Sequence, residues 1–99
     1  MPQVERMVKI MNKKGLHARA AAKIVQTAAR FKSELKIARI DSGQSAGAQA
    51  TDVNAKSILG VLMLAAGMGT TVRLQADGDD AEEALAVLAL LIEGKFGEE

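Results

Sequence analysis

Hydrophobic residues recur periodically in seven segments of the chain, four with spacing typical of strands and three with spacing typical of helices. A period of two predicts a strand, and apolar residues recurring at helical spacing predict an amphipathic helix. The strands are predicted over residues 4–10, 34–40, 49–53 and 71–76, and the first two helices over residues 18–30 and 57–64. The third helix should begin after Asp79 or Asp80 and end before Gly94. The predicted order is therefore βαββαβα.

The helix over residues 18–30 has one apolar stripe and one cationic edge, as expected of a helix that packs on a core. The stripe contains Ala21, Ile24, Val25, Ala28 and Phe31, and the outer edge contains Arg19, Lys23, Gln26 and Arg30. In the second strand, Leu35 and Ile37 should face the core. Lys36 and Ala38 should then face the opposite side of the sheet.

The last helix carries clear end signals. An N-cap at Asp79 or Asp80, with Glu82 or Glu83 three residues later, fits a capping box. Gly94 suits the C′ position. The buried stripe is predicted to contain Ala81, Ala84, Leu85, Leu88, Leu91 and Ile92.

Interleaved amphipathic helices and alternating strands call for an α+β two-layer domain, with the helices on one face of an antiparallel sheet. The chain has 99 residues, which is room for one hydrophobic core, so a single domain over residues 1–99 is expected. Residues 41–48 form a small, polar, glycine-containing connector.

Composition excludes several classes of function. The chain has no cysteine, which excludes disulfides and thiolate metal sites and suits a reducing cytoplasm. Only Phe31 and Phe96 are aromatic, so single-stranded nucleic acid finds almost no stacking platform. The longest apolar run, residues 61–66, is too short to span a bilayer, and no signal-peptide region is evident. We expect a cytoplasmic protein without membrane insertion or nucleic-acid binding.

Charge is unevenly distributed although the formal net charge is +1. Residues 1–40 contain ten Lys or Arg and two Asp or Glu, whereas residues 41–99 contain three and ten. Two interpretations stay open. The charges are ordinary solvated groups on halves that interleave in the fold, or the cations near His17 steer acidic partners toward it.

His17, the one histidine of the chain, lies where a turn is predicted to become a helix. Gly15 permits a tight turn before it, and the alanine-rich stretch after it favours a helix. His17 thus takes the N-cap position, where Ser, Thr, Asp or Asn ordinarily bonds the first amides. Without such a residue, the N–H groups of Ala18, Arg19 and Ala20 are predicted to be open to an anion, which the helix dipole favours.

An imidazole beside an anion cradle is what a phosphohistidine site requires. Neutral imidazole is a nucleophile toward phosphorus, and the Arg19 guanidinium can fork onto phosphate oxygens. The structural alternatives are that His17 is a polar turn residue and that Arg19 is a solvated helix residue. A metal site is disfavoured, because one histidine without cysteine offers no closed set of ligands.

Residues 15–22, Gly-Leu-His-Ala-Arg-Ala-Ala-Ala, resemble the active-site segment of the HPr family of histidine-containing phosphocarriers of the bacterial phosphotransferase system, which includes nitrogen-type paralogues. Residues 54–61, Asn-Ala-Lys-Ser-Ile-Leu-Gly-Val, resemble the segment that holds the family's regulatory serine and short docking helix. Residues 76–84 resemble the turn and the start of its last helix. The resemblance covers nearly the whole chain.

The resemblance implies a four-stranded antiparallel sheet of order 1-4-2-3 with three helices on one face. It also implies that Nδ1 of His17 accepts a phosphoryl group from Enzyme I, which draws on phosphoenolpyruvate, and passes it to an Enzyme IIA-type protein. Arg19 would stabilise the phosphate. Such a protein is a relay more than a free-standing enzyme, and no cofactor is expected. Residues 41–48 read as an insertion relative to the family.

The same resemblance implies regulatory phosphorylation of Ser57 by an HPr kinase/phosphorylase, and a partner-docking patch at Ile58, Leu59 and Leu62. The structural alternatives are that Ser57 is a helix N-cap and that part of the apolar helix packs into the core.

Ala20 departs from the family's commonest pattern, since sugar-system members usually carry proline there. The phosphocarrier interpretation is unaffected, but the choice between a sugar and a nitrogen-type system stays open. The alternative function is a regulatory protein-binding module that is controlled by serine phosphorylation and transfers no phosphate.

Overall fold

Four strands form one antiparallel sheet in the order β1-β4-β2-β3 in the computed structural model, which describes residues 3–40 and 52–98. The elements are β1 (Gln3–Lys9), α1 (Ala18–Ala28), β2 (Glu34–Ile40), β3 (Asp52–Asn54), α2 (Ile58–Met63), β4 (Thr71–Asp77), α3 (Ala81–Glu93) and a 3₁₀ turn (Lys95–Gly97). The order βαββαβα and the sheet order 1-4-2-3 are confirmed. The connector 41–48, and residues 49–51 of the predicted third strand, lie outside the described residues.

The hydrophobic core lies between the sheet and the three helices. Helix α3 packs on β1 and β4, and α1 packs on α2 and α3. The largest fully buried apolar side chains come from every layer of the fold: Ile10, Ile24, Leu35, Ile37, Val61, Val72, Leu74, Leu88, Ile92 and Phe96. Each such side chain stabilises the fold by about 1.5–3 kcal/mol through burial. No helix in these two described stretches is long and apolar enough to cross a membrane.

Strand alternation is confirmed in β2, with one instructive detail at Ala38. Leu35 and Ile37 belong to the core, and Ala38 alternates with them, yet Ala38 is also fully buried. It pairs with Asp52 of β3 on one side and with Arg73 of β4 on the other. Nη2 of Arg73 lies 3.0 Å from Oδ1 of Asp52. The ion pair therefore bridges β3 and β4 across β2, where a methyl side chain leaves room for it.

Helix α1 ends at Ala28, two residues before the predicted end at residue 30. The amides of Arg30 and Phe31 bond the carbonyls of Thr27 and Ala28, three positions back in each case, at 3.1 Å. The last turn is thus tighter than an α-helix. It brings the Phe31 ring into the core from beyond the helix.

Asp80 is the N-cap of α3, but the predicted capping box with Glu82 or Glu83 is wrong. The Asp80 carboxylate makes no bond to its own helix. It accepts hydrogen bonds from the amides of Lys32 at 2.8 Å and Ser33 at 2.9 Å, and from the Ser33 hydroxyl. A charge-assisted tertiary contact replaces the local one. It joins the loop before β2 to the start of α3.

The predicted C′ glycine at the end of α3 is also wrong. Gly94 is the C-cap with a φ of −83°, and the left-handed residues are Lys95 and Phe96, with φ values of 60° and 58°. Neither residue type favours that region. The buried Phe96 ring explains the turn, since this backbone path returns the chain toward the core.

Asp80→Asn should lower stability at neutral pH and make it less dependent on acid. The Ser33 hydroxyl, followed by the Lys32 amide, holds the pKa of the Asp80 carboxyl below its ordinary value of 3.8. A carboxyl whose pKa is depressed by folding stabilises the fold above that ordinary value, and this contribution is lost as pH falls through the folded-state pKa. Urea unfolding midpoints of wild type and variant should therefore differ at pH 7, and should converge only as the pH falls from 3.8 through the lowered folded-state pKa. The exposed neighbour provides the control: Asp79→Asn should leave the pH 7 midpoint almost unchanged.

Candidate functional site

The loop between β1 and α1 is fixed by backbone contacts to the segment that precedes β4. The amide of Ile10 bonds the carbonyl of Thr70 at 2.8 Å, and that of Leu16 bonds the carbonyl of Ala66 at 2.9 Å. Gly15 has a φ of +64° and lies directly against Ala66. Because Leu16 is buried, the next residue, His17, is held at the surface at the start of α1.

His17 caps α1 with its own ring, which corrects the prediction that the first amides lack a cap. Nδ1 of His17 accepts a hydrogen bond from the amide of Arg19 at 3.2 Å, and the His17 carbonyl accepts from Ala21 at 2.8 Å. In any helix the first four amides lack an acceptor within the helix. Of the three predicted cradle residues, Ala18 and Arg19 are exposed and Ala20 is fully buried. The geometry thus favours the first two for contact with an anion.

The other ring nitrogen of His17 meets a carboxylate. Nε2 lies 2.6 Å from Oε2 of Glu98, and the two side chains are 25% and 17% exposed. A backbone N–H donates to Nδ1, so Nδ1 presents a lone pair and carries no proton. In the neutral ring the proton therefore lies on Nε2 and is donated to Glu98. The nitrogen that the family resemblance implicates, Nδ1, is the one whose lone pair faces the helix N-terminus.

Glu98 is held in turn by a buried amide. Nδ2 of Asn12 donates to Oε1 of Glu98 at 3.1 Å and to the Gly15 carbonyl at 2.9 Å. The hydrogen bond with His17, and then that from Asn12, lowers the pKa of the Glu98 carboxyl below its usual value of 4.5. Neither Glu98 nor Asn12 was predicted from the sequence to belong to the site. Glu98 lies 81 positions from His17, and no periodic pattern links the two.

Cations surround the site. A cleft of about 490 Å³ beside the histidine loop is lined by Lys13, Lys14, Arg19, Lys23, Gly97 and Glu98. Arg19 is exposed, as an anion-binding role requires. Lys23, on the cationic edge of α1, is half-buried, and its Nζ donates to the carbonyl of Phe96. Four of the basic residues in the first half of the chain thus gather at one place. Within residues 3–40 and 52–98, no group of three or more His, Asp or Glu side chains could hold a metal ion.

Ser57 is the N-cap of α2, as its structural alternative predicted. Its hydroxyl oxygen accepts a hydrogen bond from the amide of Gly60 at 3.1 Å. Of the predicted docking residues, Ile58 and Leu59 are 45% and 65% exposed, whereas Leu62 is partly buried against the core. Met63, which was not among the predicted docking residues, is 73% exposed. Ile58, Leu59 and Met63 are called the α2 patch below.

The α2 patch is joined to the histidine loop through the end of α2. Nη1 of Arg39 donates to the carbonyls of Leu64 at 3.3 Å and Ala65 at 3.2 Å. The negative end of the helix dipole also favours a cation at this position. The next residue, Ala66, holds Leu16. The patch and His17 are therefore tied to one short segment.

Fold and site together are typical of a phosphocarrier: an open-faced sandwich with an unprotonated imidazole nitrogen at a helix N-terminus and four cations in the adjacent cleft. Residues 4–94 match the family model described as the phosphorylation site of the PTS HPr component. The chain belongs to the HPr family of the phosphotransferase system.

Named relatives match over almost their full length. The phosphocarrier protein HPr of Cupriavidus necator is 47% identical over 95 residues, which is 96% of this chain and 97% of that protein. The phosphocarrier protein NPr of Shewanella violacea is 42% identical over 98 residues, 99% of this chain and 98% of that protein. The crystal structure of HPr-C-His from Thermoanaerobacter tengcongensis superposes with a TM-score of 0.79 at 45% identity, covering 100% of this chain and 99% of that chain.

Gly15→Ala should destabilise the fold by at least about 1–2 kcal/mol, the cost of a left-handed backbone at a residue with a side chain. An added Cβ would also lie 2.5 Å from the Ala66 carbonyl oxygen and 2.7 Å from Cα of Gly67. Gly67→Ala is the control, because a Cβ there meets nothing within 4 Å. Urea unfolding measures both variants. Equal midpoints for the two would show that the close approach of the loops is not required.

Proposed function

We propose that this protein accepts a phosphoryl group on Nδ1 of His17 from Enzyme I and passes it to an Enzyme IIA-type acceptor, in a sugar or nitrogen-type phosphotransferase system. The observation that carries the proposal is the hydrogen bond from the Arg19 amide to Nδ1 of His17 at the N-terminus of α1. Because a backbone amide donates to Nδ1, this nitrogen carries a lone pair and no proton, and the lone pair becomes the nucleophile when the amide releases it. We propose that the exchange with Enzyme I and the Enzyme IIA-type acceptor takes place in the cytoplasm.

The transfer is an exchange between two nitrogens. The Nδ1 lone pair of His17 attacks the phosphorus held on the donor's phosphohistidine. The new N–P bond forms as the donor's N–P bond breaks, and that electron pair returns to the donor ring. Phosphoryl transfer of this kind depends on positioning and on charge stabilisation. Passage to the acceptor reverses the roles.

Arg19 contributes twice to phosphate binding in this proposal. Its backbone amide, which donates to Nδ1 in the unphosphorylated protein, is placed to donate to a phosphate oxygen once Nδ1 is occupied. Its guanidinium is exposed at the same turn and offers a bidentate contact. The amide of Ala18 adds a third donor, and that of the buried Ala20 a fourth if the first turn opens slightly.

Partner docking is assigned to the α2 patch together with Leu62, and its regulation to Ser57. Large apolar side chains exposed beside a reactive group mark an interaction surface. A phosphate on Ser57 would lie at the N-terminus of α2, next to Ile58, so it would add charge to the docking surface while leaving His17 itself intact. An HPr kinase/phosphorylase is the proposed enzyme for this modification.

His17→Asn should abolish phosphorylation by Enzyme I and phosphoenolpyruvate while the protein stays folded. Asparagine is a good N-cap, so this variant separates the capping role from the nucleophile. The wild-type product should be labile in acid and stable in base, as an N–P bond is, when followed by intact mass. Undiminished labelling of His17→Asn would falsify the proposal and favour the regulatory module that transfers no phosphate.

Leu59→Glu should weaken binding to Enzyme I at least roughly tenfold, the loss expected at a central interface residue, with thermal stability unchanged. Leu90→Glu is the matched control, since Leu90 of α3 is 70% exposed and lies on another helix. Titration calorimetry and thermal unfolding provide the two readouts. If Leu59→Glu and Leu90→Glu bind Enzyme I equally well, the α2 patch is not the docking surface.

Ser57→Asp should also weaken binding to Enzyme I, because it adds a charge beside the α2 patch. The protein should stay folded, because aspartate also caps helices.

A further inference from the structure

We infer that Glu98 is a positioning residue for phosphoryl transfer, held by Asn12 so that its carboxylate grips Nε2 of His17 while Nδ1 reacts. The inference rests on the proposed function of His17 and adds the groups that orient its ring. Three features support the inference: the contact between Glu98 and Nε2 of His17, the buried Asn12 amide that donates to the carboxylate, and the backbone turn over residues 94–98 that brings Glu98 to His17.

The amide of Asn12 is built to donate to the carboxylate. Asn12 is fully buried, and its Nδ2 is shared between the Gly15 carbonyl and Oε1 of Glu98. Its Oδ1 has no hydrogen-bond partner among the residues described. A buried carbonyl oxygen without a partner is costly. The Asn12 side chain keeps this orientation because the Gly15 carbonyl and the Glu98 carboxylate both accept hydrogen bonds from its NH₂ group.

Glu98 reaches His17 through the strap formed by residues 94–98. The strap turns at Lys95 and Phe96, which have left-handed backbone conformations. Two contacts hold it there: the Phe96 ring is buried in the core, and Nζ of Lys23 donates to the Phe96 carbonyl. Strained backbone persists where the surroundings over-determine it, and such sites cluster at functional positions. The strap thus fixes a carboxylate that would otherwise move freely on an exposed chain.

The carboxylate lies where the transfer creates charge. When the Nδ1 lone pair forms a bond to phosphorus, the ring keeps its Nε2 proton and becomes cationic. Glu98 accepts that proton's hydrogen bond on the far side of the ring, so the anionic phosphoryl group and the carboxylate face opposite nitrogens. An oriented carboxylate stabilises an imidazolium in the same way in hydrolase triads. In the transfer onward, the same contact keeps the ring protonated, which makes it the better leaving group.

The test compares Glu98→Gln, which keeps the shape and removes the charge, with Glu93→Gln, an exposed carboxylate at the end of α3. Rapid-quench kinetics with phosphorylated Enzyme I should show transfer at saturating donor slowed roughly ten- to a hundredfold by Glu98→Gln, the loss typical when the partner that orients a functional histidine is removed. Affinity for Enzyme I should stay unchanged, as should both parameters in Glu93→Gln.

A ¹H–¹⁵N spectrum of the His17 ring tests the geometry without any transfer. The wild-type protein should show a downfield Nε2-bound proton that exchanges slowly with water. Glu98→Gln should shift it upfield and speed its exchange, and so should Asn12→Ala, which leaves the carboxylate in place but unheld. Far-UV circular dichroism checks that each variant is folded.

The outcomes separate the two proposals. If wild type accepts no phosphate, the proposed function fails and the inference fails with it. If wild type and Glu98→Gln accept phosphate at the same rate, the inference alone is overturned. A wild-type ring whose Nε2 proton exchanges as fast as in Glu98→Gln overturns it as well, whatever the kinetics.

Discussion

One hydrogen bond, from the amide of Arg19 to Nδ1 of His17, connects the stability of α1 to the chemistry of the site. A helix start needs an acceptor for its first amides, and here the acceptor is the ring of the proposed phosphoryl acceptor itself. The bond keeps Nδ1 unprotonated, aims its lone pair at the positive end of the helix, and fixes the ring plane. Once Nδ1 carries a phosphoryl group, an oxygen of that group would accept the hydrogen bond from the Arg19 amide in place of Nδ1. The first turn therefore has an acceptor both before and after transfer.

This arrangement depends on close packing between two loops that are distant in sequence. Gly15 has room only for hydrogen where it meets Ala66, and the Leu16 amide bonds the same residue. Arg39 fixes the end of α2 one residue earlier. The sheet thus supports His17 through the segment between α2 and β4. Helix α2, the proposed docking helix, is attached to the same segment, so a partner bound there would be held in fixed relation to His17.

Local pattern predicted most of the fold because strands and helices with one buried face obey fixed periods. Val72, Leu74 and Ala76 are buried where the alternation places them. The sheet order came from the resemblance, since periodicity does not encode which strands pair. The failures occurred where distant residues compete with local signals. Asp80 turns from its own helix to Ser33, 47 positions away, and no residue type announces the left-handed turn at Lys95 and Phe96.

The site was predictable to the same extent and for the same reasons. His17, Arg19 and Ser57 stand at helix starts, which composition and spacing reveal. That an imidazole would serve as the cap was missed, because histidine is not among the residues that usually do so. Glu98 and Asn12 join His17 only in three dimensions. Such a contact cannot be predicted from the residues at each helix start, because its partners are far apart in the sequence.

The position of β4 in the middle of the sheet has a consequence for the order of folding. Val8 pairs with Val72, and β2 pairs with the opposite edge of the same strand. Neither pairing closes until the chain as far as β4 is present, and such distant pairings slow the search for the native topology. The loop that holds His17 is anchored to the residues immediately before β4. The side chain of His17 is thus expected to take its final place among the last events of folding, after the neighbouring helices have formed.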